Sequence, residues 1–164
     1  MGLYDAGISS FVRGLGVAIV LVGKAERLAK GKRLGAKKVL GGKLAPDMFN
    51  FVQQVQYVYF MALEAGEQLS GKKPPAFTYD EASFADLKKS LARARAYMQT
   101  IKQKDMSGAE RKKVQTFLMP KKRVAAATYI HTLALPNFYF HLTTMYGILR
   151  HLGAPLKKDD YLGA

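Results

Sequence analysis

The sequence predicts an all-α protein, a four-helix bundle formed by a single domain over residues 1–164. Four segments of about 16 to 26 residues repeat apolar side chains at steps of three and four, as helices with one buried face do. Helix start and stop signals flank several of these segments. Hydrophobic residues make up 49% and charged residues 23% of the chain, which is typical of a globular protein with a buried core.

The first helix is predicted over residues 8–29. Its buried side is predicted to hold Phe11, Leu15, Ala18, Val22 and Ala25. The middle of this helix is apolar on nearly all sides, which indicates burial by several neighbours. Residues 30–43 follow with six cations and no acid, and their glycines predict a loop with one helical turn over residues 36–40.

The second helix is predicted to open at the sequence LAPDMF. Pro46 suits the first position of a helix, where its missing N–H is not needed, and Asp47 suits the positive end of the helix dipole. The helix is predicted to end near Gly71, because the next residues, KKPPAF, contain two prolines that start a linker.

The third helix has the clearest boundaries. Ser83 is the predicted N-cap, with Asp86 three residues further on. Apolar residues then follow at steps of 3, 4, 3, 4 and 3, the spacing of a heptad seam that faces a partner helix. These residues are Phe84, Leu87, Leu91, Ala94, Met98 and Ile101.

Residues 114–119 alternate in a way that allows a short hairpin turning at residues 120–122. The last helix is predicted over residues 128–153, with Pro155 as a stop signal. Pro136 lies inside it. Because proline removes a backbone hydrogen bond and clashes with the preceding turn, we expect a kink or a break there.

Residue types exclude several kinds of active site. The chain has no cysteine, so disulfides, thiolate metal ligands and cysteine nucleophiles are absent. The sequence also contains no serine nucleophile elbow, phosphate-binding glycine loop or dinucleotide fingerprint. Asp159 and Asp160 are adjacent, but neighbouring residues on an irregular tail point in different directions, so we interpret them as solvated.

The charge is strongly positive, with 26 Lys and Arg against 12 Asp and Glu and a formal net charge of +14. Such a balance attracts nucleic acids, anionic lipids and acidic proteins, or serves only solubility. No helix-turn-helix, zinc finger or aromatic RNA-binding strand motif accompanies it. Continuous apolar runs fall short of the roughly 18 to 20 residues that a membrane span needs, and no signal peptide is evident. We therefore expect a cytoplasmic protein without a membrane span.

Two polar helix faces form the candidate site. The residues of each face are spaced three or four apart, which brings their side chains to one side of a helix. The face on the last helix consists of Asn137, His141 and Thr144, and the face on the second helix consists of Asp47, Asn50, Gln54 and Tyr57. If the faces meet, they form a polar pocket for a small ligand, or a mixed nitrogen and oxygen site for a metal held by His141 and Asp47. Alternatively they form a buried hydrogen-bonded network that fixes helix pairing, with His141 bound to Asp47 or to a backbone carbonyl.

The other two histidines are placed differently. His151 lies about 80° from His141 around the helix, beside Arg150, where cations offset the helix dipole. His131 precedes the proline. Each lies ten residues from His141, and this spacing is not that of a metal motif. We interpret His151 as a capping or surface residue.

The segments LAPDMF, QVQ, SFADL and LPNFYFHLTTMYGILRHLGAP together resemble a family known as a domain of unknown function, grouped with the DinB/YfiT-like superfamily of proposed metalloenzymes. The resemblance covers essentially the whole chain. It implies a four-helix bundle of up-down-down-up order, with a long crossover between the second and third helices, and dimers are common in the superfamily. Metal-bound DinB relatives use one histidine near the second helix and a histidine pair four residues apart on the last. Here Met145 and Asn137 stand four residues from His141, and the second helix carries no histidine.

The leading hypothesis is therefore a small-ligand-binding or non-catalytic protein with a degenerate metal site. An alternative is a hydrolase or transferase that uses a divalent metal such as Zn²⁺, Ni²⁺ or Mn²⁺, with a bound water as nucleophile. A second alternative, a nucleic-acid-associated protein, rests on charge alone, and the implied helix order would put the basic runs 30–43 and 111–123 at opposite ends. A homodimer is also expected, because residues 138–140 are three consecutive aromatics that cannot all face the core.

Overall fold

The computed structural model describes residues 2–31 and 34–163 and is mainly helical. The chain begins with a π-helical segment, Tyr4–Ser9, and continues through α1 (Ser10–Gly31), α2 (Ala36–Leu40), α3 (Phe51–Ser70) and α4 (Phe84–Thr100). Two short 3₁₀ turns, Gln103–Met106 and Ala109–Arg111, precede strands β1 (Lys113–Gln115) and β2 (Arg123–Ala125). The rest consists of α5 (Ala126–Thr128), a π-helical segment Tyr129–Ala134, α6 (Leu135–His151) and α7 (Lys158–Leu162).

The predicted third helix is confirmed as α4. The Ser83 side chain accepts a hydrogen bond from the backbone N–H of Asp86 at 3.1 Å and so caps the helix. All six residues of the predicted seam are buried. Local sequence signals were sufficient to predict this helix, because the N-cap residue and the apolar spacing indicate the same segment.

The predicted start of the second helix is wrong by about one turn. The N-cap of α3 is Asn50, whose side chain accepts from the Gln53 N–H at 2.9 Å while the Gln53 side chain accepts from the Asn50 N–H at 3.0 Å. This reciprocal capping box satisfies two N–H groups at once, whereas Pro46 and Asp47 lie in preceding turns. The predicted end is confirmed, because Gly71 terminates α3 in the left-handed conformation at φ 77°.

The first helix is longer than predicted at its N-terminal end, since helical structure begins at Tyr4. By length and composition, Tyr4–Gly31 is long and apolar enough to cross a membrane. However, 56% of its most apolar window is buried within the protein, and the core helix of a soluble protein passes the same test. In the following basic loop the predicted helical turn is confirmed as α2, while Lys32 and Arg33 lie outside the described residues.

The predicted hairpin is also confirmed. Strands β1 and β2 pair antiparallel, with Val114 opposite Val124. The turn is longer than predicted, because it occupies residues 116–122. It therefore contains Pro120 within a seven-residue connection.

The predicted kink or break at Pro136 is realised as a change of helix type. The chain is π-helical from Tyr129 to Ala134 and becomes α-helical at Leu135, so that Pro136 lies in the first turn of α6. The helix is continuous here, since Ala134 and Leu135 both have right-handed helical φ and ψ, so the N–H that Pro136 lacks falls where the hydrogen-bonding pattern changes. The helix ends at His151, shortly before Pro155.

The long helices bury their apolar faces against one another. Helix α1 packs against α4 and α6, and α3 packs against the same two helices. Two glycines allow close approach. A Cβ at Gly14 would collide with the Phe138 ring, and one at Gly66 would lie 2.8 Å from the Met98 sulfur. In the described chain the buried polar side chains are Gln54, Thr116, His141 and Thr144, and three of these four lie on α3 and α6.

Candidate functional site

The centre of the α3–α6 interface is a hydrogen bond between two buried side chains. His141 Nδ1 lies 2.7 Å from Gln54 Oε1. Gln54 uses its amide nitrogen to donate to the backbone oxygen of Phe49 at 3.2 Å, so its carbonyl oxygen faces the imidazole. An oxygen of this kind only accepts, and Nδ1 must therefore carry the proton.

The imidazole is neutral at pH 7, so Nε2 is an acceptor. Burial lowers the pKa of His141 to about 4, because a low-dielectric environment disfavours the charged form. Within the described chain Nε2 makes no hydrogen bond. Every fully buried side-chain nitrogen or oxygen there has a partner, so Nε2 must lie at the 5% of the residue that remains exposed. His141 can therefore accept a hydrogen bond at Nε2.

Aromatic rings surround the imidazole. The Tyr57 ring stacks on it with centroids 4.8 Å apart at an interplanar angle of 30°. Phe49 stacks on Tyr57 at 4.9 Å and lies 6.3 Å from the imidazole at 21°. Phe140 meets the imidazole edge-on at 5.2 Å. The site is therefore a neutral imidazole within an aromatic cluster, whose ring faces and edges can pack against a bound group.

Asn137 and Thr144 are hydrogen-bonded to groups other than His141. Asn137 donates its amide to the Met61 sulfur at 3.1 Å. The Thr144 hydroxyl donates to the backbone oxygen of Phe140 at 2.7 Å, one turn back in its own helix. These two residues share the predicted face, but each one satisfies its polar group locally.

Asp47 does not join the site. It lies in an exposed turn ahead of α3, and no hydrogen bond or ion pair joins it to His141 among the described residues. The prediction that Asp47 shares a helix face with Gln54 is wrong, because the helix begins at Phe51 with Asn50 as its cap. The predicted buried hydrogen bond that pairs the two helices is present, but the partner of His141 is Gln54 and not Asp47 or a backbone carbonyl.

The donor set does not fit the metal that the family resemblance implies. Across residues 2–31 and 34–163 there is no group of three or more His, Asp or Glu side chains able to hold a metal ion. His131 and His151 are both exposed and cannot complete such a group. His141 supplies one nitrogen and Gln54 already bonds to the other, whereas a stable divalent site needs three or four protein ligands.

Sequence reasoning missed an open recess that adjoins the His141 cluster and shares Tyr57 with it. Its volume is about 340 Å³, and its lining consists of Gln56, Tyr57, Phe60, Tyr79 and Phe117. Tyr57, Gln56 and Phe60 belong to α3. The other two come from the linker 71–83 and from the hairpin turn, and neither carries a periodic sequence signal that could have placed it here.

The linker wall of the recess is fixed by Glu81. Its carboxylate accepts from the Gln56 amide at 2.9 Å and from the Tyr59 hydroxyl at 2.8 Å. Gln56 also donates to the backbone oxygen of Tyr79 at 3.0 Å. Tyr79 has a φ of 57°, a left-handed conformation that is costly for a residue other than glycine. These contacts hold the strained tyrosine against α3.

The hairpin wall is fixed by Glu64 of α3. Its carboxylate accepts from the Thr116 hydroxyl at 2.9 Å, from the Phe117 N–H at 3.1 Å and from the Tyr129 hydroxyl at 2.7 Å. Burial, followed by the nearby Glu64 charge, raises the pKa of Tyr129. The phenol therefore stays protonated and can donate. A single half-buried carboxylate thus ties the hairpin and the start of the last helical region to α3.

Comparisons with known proteins agree with this fold. Residues 3–162 match a family model described as a domain of unknown function, DUF1993. Among solved structures, a crystal structure of a DinB family member protein from Shewanella denitrificans is 32% identical in sequence, with a TM-score of 0.92. That likeness covers 99% of this chain and 92% of the other. No curated protein matches the sequence.

Proposed function

Since the chain belongs to the DUF1993 family and has the fold of a DinB family member, we propose that it is a small-ligand-binding protein whose metal position is degenerate. The observation that carries this proposal is the state of His141. Gln54 holds its Nδ1, burial keeps the ring neutral, and Nε2 is left as an acceptor within an aromatic cluster. Such a mixture of aromatic surface and a few fixed polar atoms is typical of small-molecule sites.

Metal-dependent hydrolase or transferase chemistry is not supported by the same side chains. A metal that activates water needs protein ligands that also leave one position open. In the described chain, His141 has no second histidine or carboxylate within its hydrogen-bonded surroundings. What these residues can do is accept a proton donor of a ligand at Nε2 and pack against its apolar part.

We also propose that the long helices form a four-helix bundle of up-down-down-up order. Two contacts between α1 and α4 support opposite directions for these helices. Lys88, near the start of α4, pairs with Glu26 near the end of α1 at 2.8 Å. Arg95, near the end of α4, donates to the backbone oxygen of Val12 near the start of α1 at 3.2 Å.

The parallel pair in this order is α3 and α4. Lys72, just after α3, donates to the backbone oxygen of Thr100 at the end of α4 at 2.9 Å, so both helices end at the same side. The 71–83 linker is then the long crossover. This order also supports placing the two basic runs at opposite ends, because Lys112 donates to the backbone oxygen of Leu69 near the end of α3, whereas the other run follows α1. A single cationic surface for nucleic acid is thereby disfavoured.

A screen of small organic probes tests the ligand-binding proposal. We would record aromatic and amide NMR spectra of the protein with a library of neutral, anionic and cationic fragments. We expect binding probes to shift the signals of His141 and Tyr57 and to lose affinity in Tyr57→Leu. Tyr161→Phe, a change within α7, is the matched control and should bind as the wild type does. Probes that bind only elsewhere, or no probe binding at all, would contradict the proposal.

The homodimer stays a proposal with one structural feature in its support. Of residues 138–140, Phe138 is buried and Phe140 is 56% exposed. An outward-facing ring of this size is common at subunit interfaces. Sedimentation equilibrium should show a mass that rises with concentration in the wild type and less so in Phe140→Ser. A constant monomer mass would rule the dimer out.

A further inference from the structure

The rings of the recess are arranged around Phe60. Tyr57, Tyr79 and Phe117 make interplanar angles of 69°, 67° and 69° with the Phe60 ring. Their centroids lie 6.1, 6.3 and 5.0 Å from its centroid. Three rings from three separate segments therefore stand nearly perpendicular to a fourth. All four rings line the same open recess.

Such an enclosure has a characteristic ligand. The faces of aromatic rings carry partial negative charge, so several rings around one space attract a cation whose charge is spread over methyl groups. A quaternary or methylated ammonium group also loses little hydration when it enters an apolar recess, in contrast to a primary ammonium, which needs hydrogen-bond acceptors.

The charged side chains nearest to the recess walls are negative, which suits a positively charged ligand. None of its five lining residues is charged. The two ionisable side chains that are hydrogen-bonded to its walls are both carboxylates, Glu81 through Gln56 and Glu64 through the Phe117 N–H. Burial opposes ionisation of Glu81, but hydrogen bonds from Ser90, Gln56 and Tyr59 outweigh it and lower its pKa. Both the rings and this carboxylate thus favour positive charge, although the whole chain is basic.

We propose that the recess binds an organic cation, with a quaternary or methylated ammonium group enclosed by Tyr57, Tyr79 and Phe117 above Phe60. This inference rests on the proposed small-ligand function and names the ligand class of the recess, which shares Tyr57 with the His141 cluster. The recess volume of about 340 Å³ leaves room for an ammonium group together with a short attached chain, which would extend through the open side.

A pair of probes of equal shape tests the role of charge. Choline carries a trimethylammonium group, and 3,3-dimethyl-1-butanol has a neutral carbon in place of the nitrogen. We would titrate each into the protein and follow the ring signals of Tyr57, Phe60 and Tyr79 by NMR. Choline should bind roughly 2- to 30-fold more tightly than the neutral alcohol. Equal binding, or tighter binding of the alcohol, would overturn the inference.

Two leucine variants locate the effect. Phe117→Leu keeps an apolar side chain but removes one ring of the recess, and should reduce the preference for choline. Tyr161→Leu removes a ring of α7 that lies outside the recess and should leave this preference unchanged. Far-UV circular dichroism confirms that both variants are folded. An unchanged choline preference in Phe117→Leu would contradict the proposed position of the cation.

A planar neutral probe separates this inference from the function on which it rests. Indole that shifts the same ring signals, in a protein that does not bind choline, would overturn the cation inference and leave small-ligand binding in place. If choline, the alcohol and indole all leave the ring signals unchanged, both the inference and a ligand site in this recess are contradicted.

Discussion

Gln54 and His141 join α3 to α6 through one hydrogen bond of 2.7 Å between two buried side chains. The bond fixes more than helix pairing. It assigns the imidazole proton to Nδ1, because Gln54 is itself oriented by its bond to the Phe49 backbone. One hydrogen bond therefore both pairs the two helices and determines which imidazole nitrogen carries the proton.

Removing the Gln54 amide should destabilise the protein and remove the preference of the imidazole for the tautomer protonated at Nδ1. In Gln54→Ala the buried Nδ1–H loses its acceptor, which should cost about 1–3 kcal/mol in the free energy of unfolding. Urea unfolding at neutral pH measures this loss. In ¹⁵N NMR spectra the wild type should show His141 protonated at Nδ1. A variant as stable as the wild type, with the same tautomer, would contradict the assigned role.

The stability of the fold should rise with pH through the range where His141 titrates. Burial lowers its pKa to about 4 in the folded protein, whereas an unfolded chain takes up this proton near pH 6.5. Between these values the unfolded state binds more protons, so the free energy of unfolding increases with pH and levels off above about pH 6.5. From about pH 5 to 7 the gain should be about 2 kcal/mol.

Histidine variants isolate this contribution. His141→Gln should lose most of the slope between about pH 5 and 7, and the exposed His131→Gln should keep it. Carboxylates such as Glu26, whose pKa is lowered to about 2 by hydrogen bonds from Lys88 and Lys30, lose their proton below this range. They therefore contribute little to the change of stability between about pH 5 and 7 that the two variants compare. Equal slopes in the two variants would show that His141 is not buried as described.

Among the residues that support the recess walls, Glu64 should cause the largest loss of stability when it is replaced. In Glu64→Ala the buried Tyr129 hydroxyl and the Phe117 N–H lose a charged acceptor, at a cost of about 2–4 kcal/mol. Hydrogen exchange at the Phe117 amide should accelerate. Glu67→Ala, one turn further along the same helix, is the matched control and should change stability by less than about 0.5 kcal/mol. Similar losses of stability in both variants would contradict the role of Glu64 in holding the hairpin turn and Tyr129 to α3.

Two glycines of α1 should respond oppositely to alanine. At Gly14 the added methyl group would collide with the Phe138 ring, so Gly14→Ala should cost about 1–3 kcal/mol despite the better helix propensity of alanine. At Gly23 nothing lies within 4 Å of the new methyl group. Gly23→Ala should therefore stabilise the protein by about 0.5–1 kcal/mol. Thermal unfolding of both variants tests whether α1 and α6 pack as closely as described.

Much of the fold follows from local sequence signals. The seam of α4 and its Ser83 cap were predictable because periodicity and capping act within a few residues. The start of α3 was predicted too early, because a proline followed by an acid resembles a first turn. Asn50 and Gln53 form the better cap. That error placed Asp47 on a helix face where it does not lie.

The candidate site was predictable only in part. Gln54, Tyr57 and His141 were found because they lie on helix faces, whose geometry the spacing defines. Tyr79 and Phe117 were missed because the linker and the hairpin turn have no periodicity, and tertiary contacts alone bring them to α3. The recess is therefore a product of packing between distant segments.

The measurement that tests the central claim most directly is elemental analysis of the untagged protein, purified without a chelator, incubated with Zn²⁺, Ni²⁺ and Mn²⁺ and freed of excess metal. The wild type and His141→Ala are compared. A small-ligand site with a degenerate metal position predicts only trace metal in both proteins. About one metal ion per chain in the wild type, lost in the variant, would contradict this account and assign His141 to a metal centre.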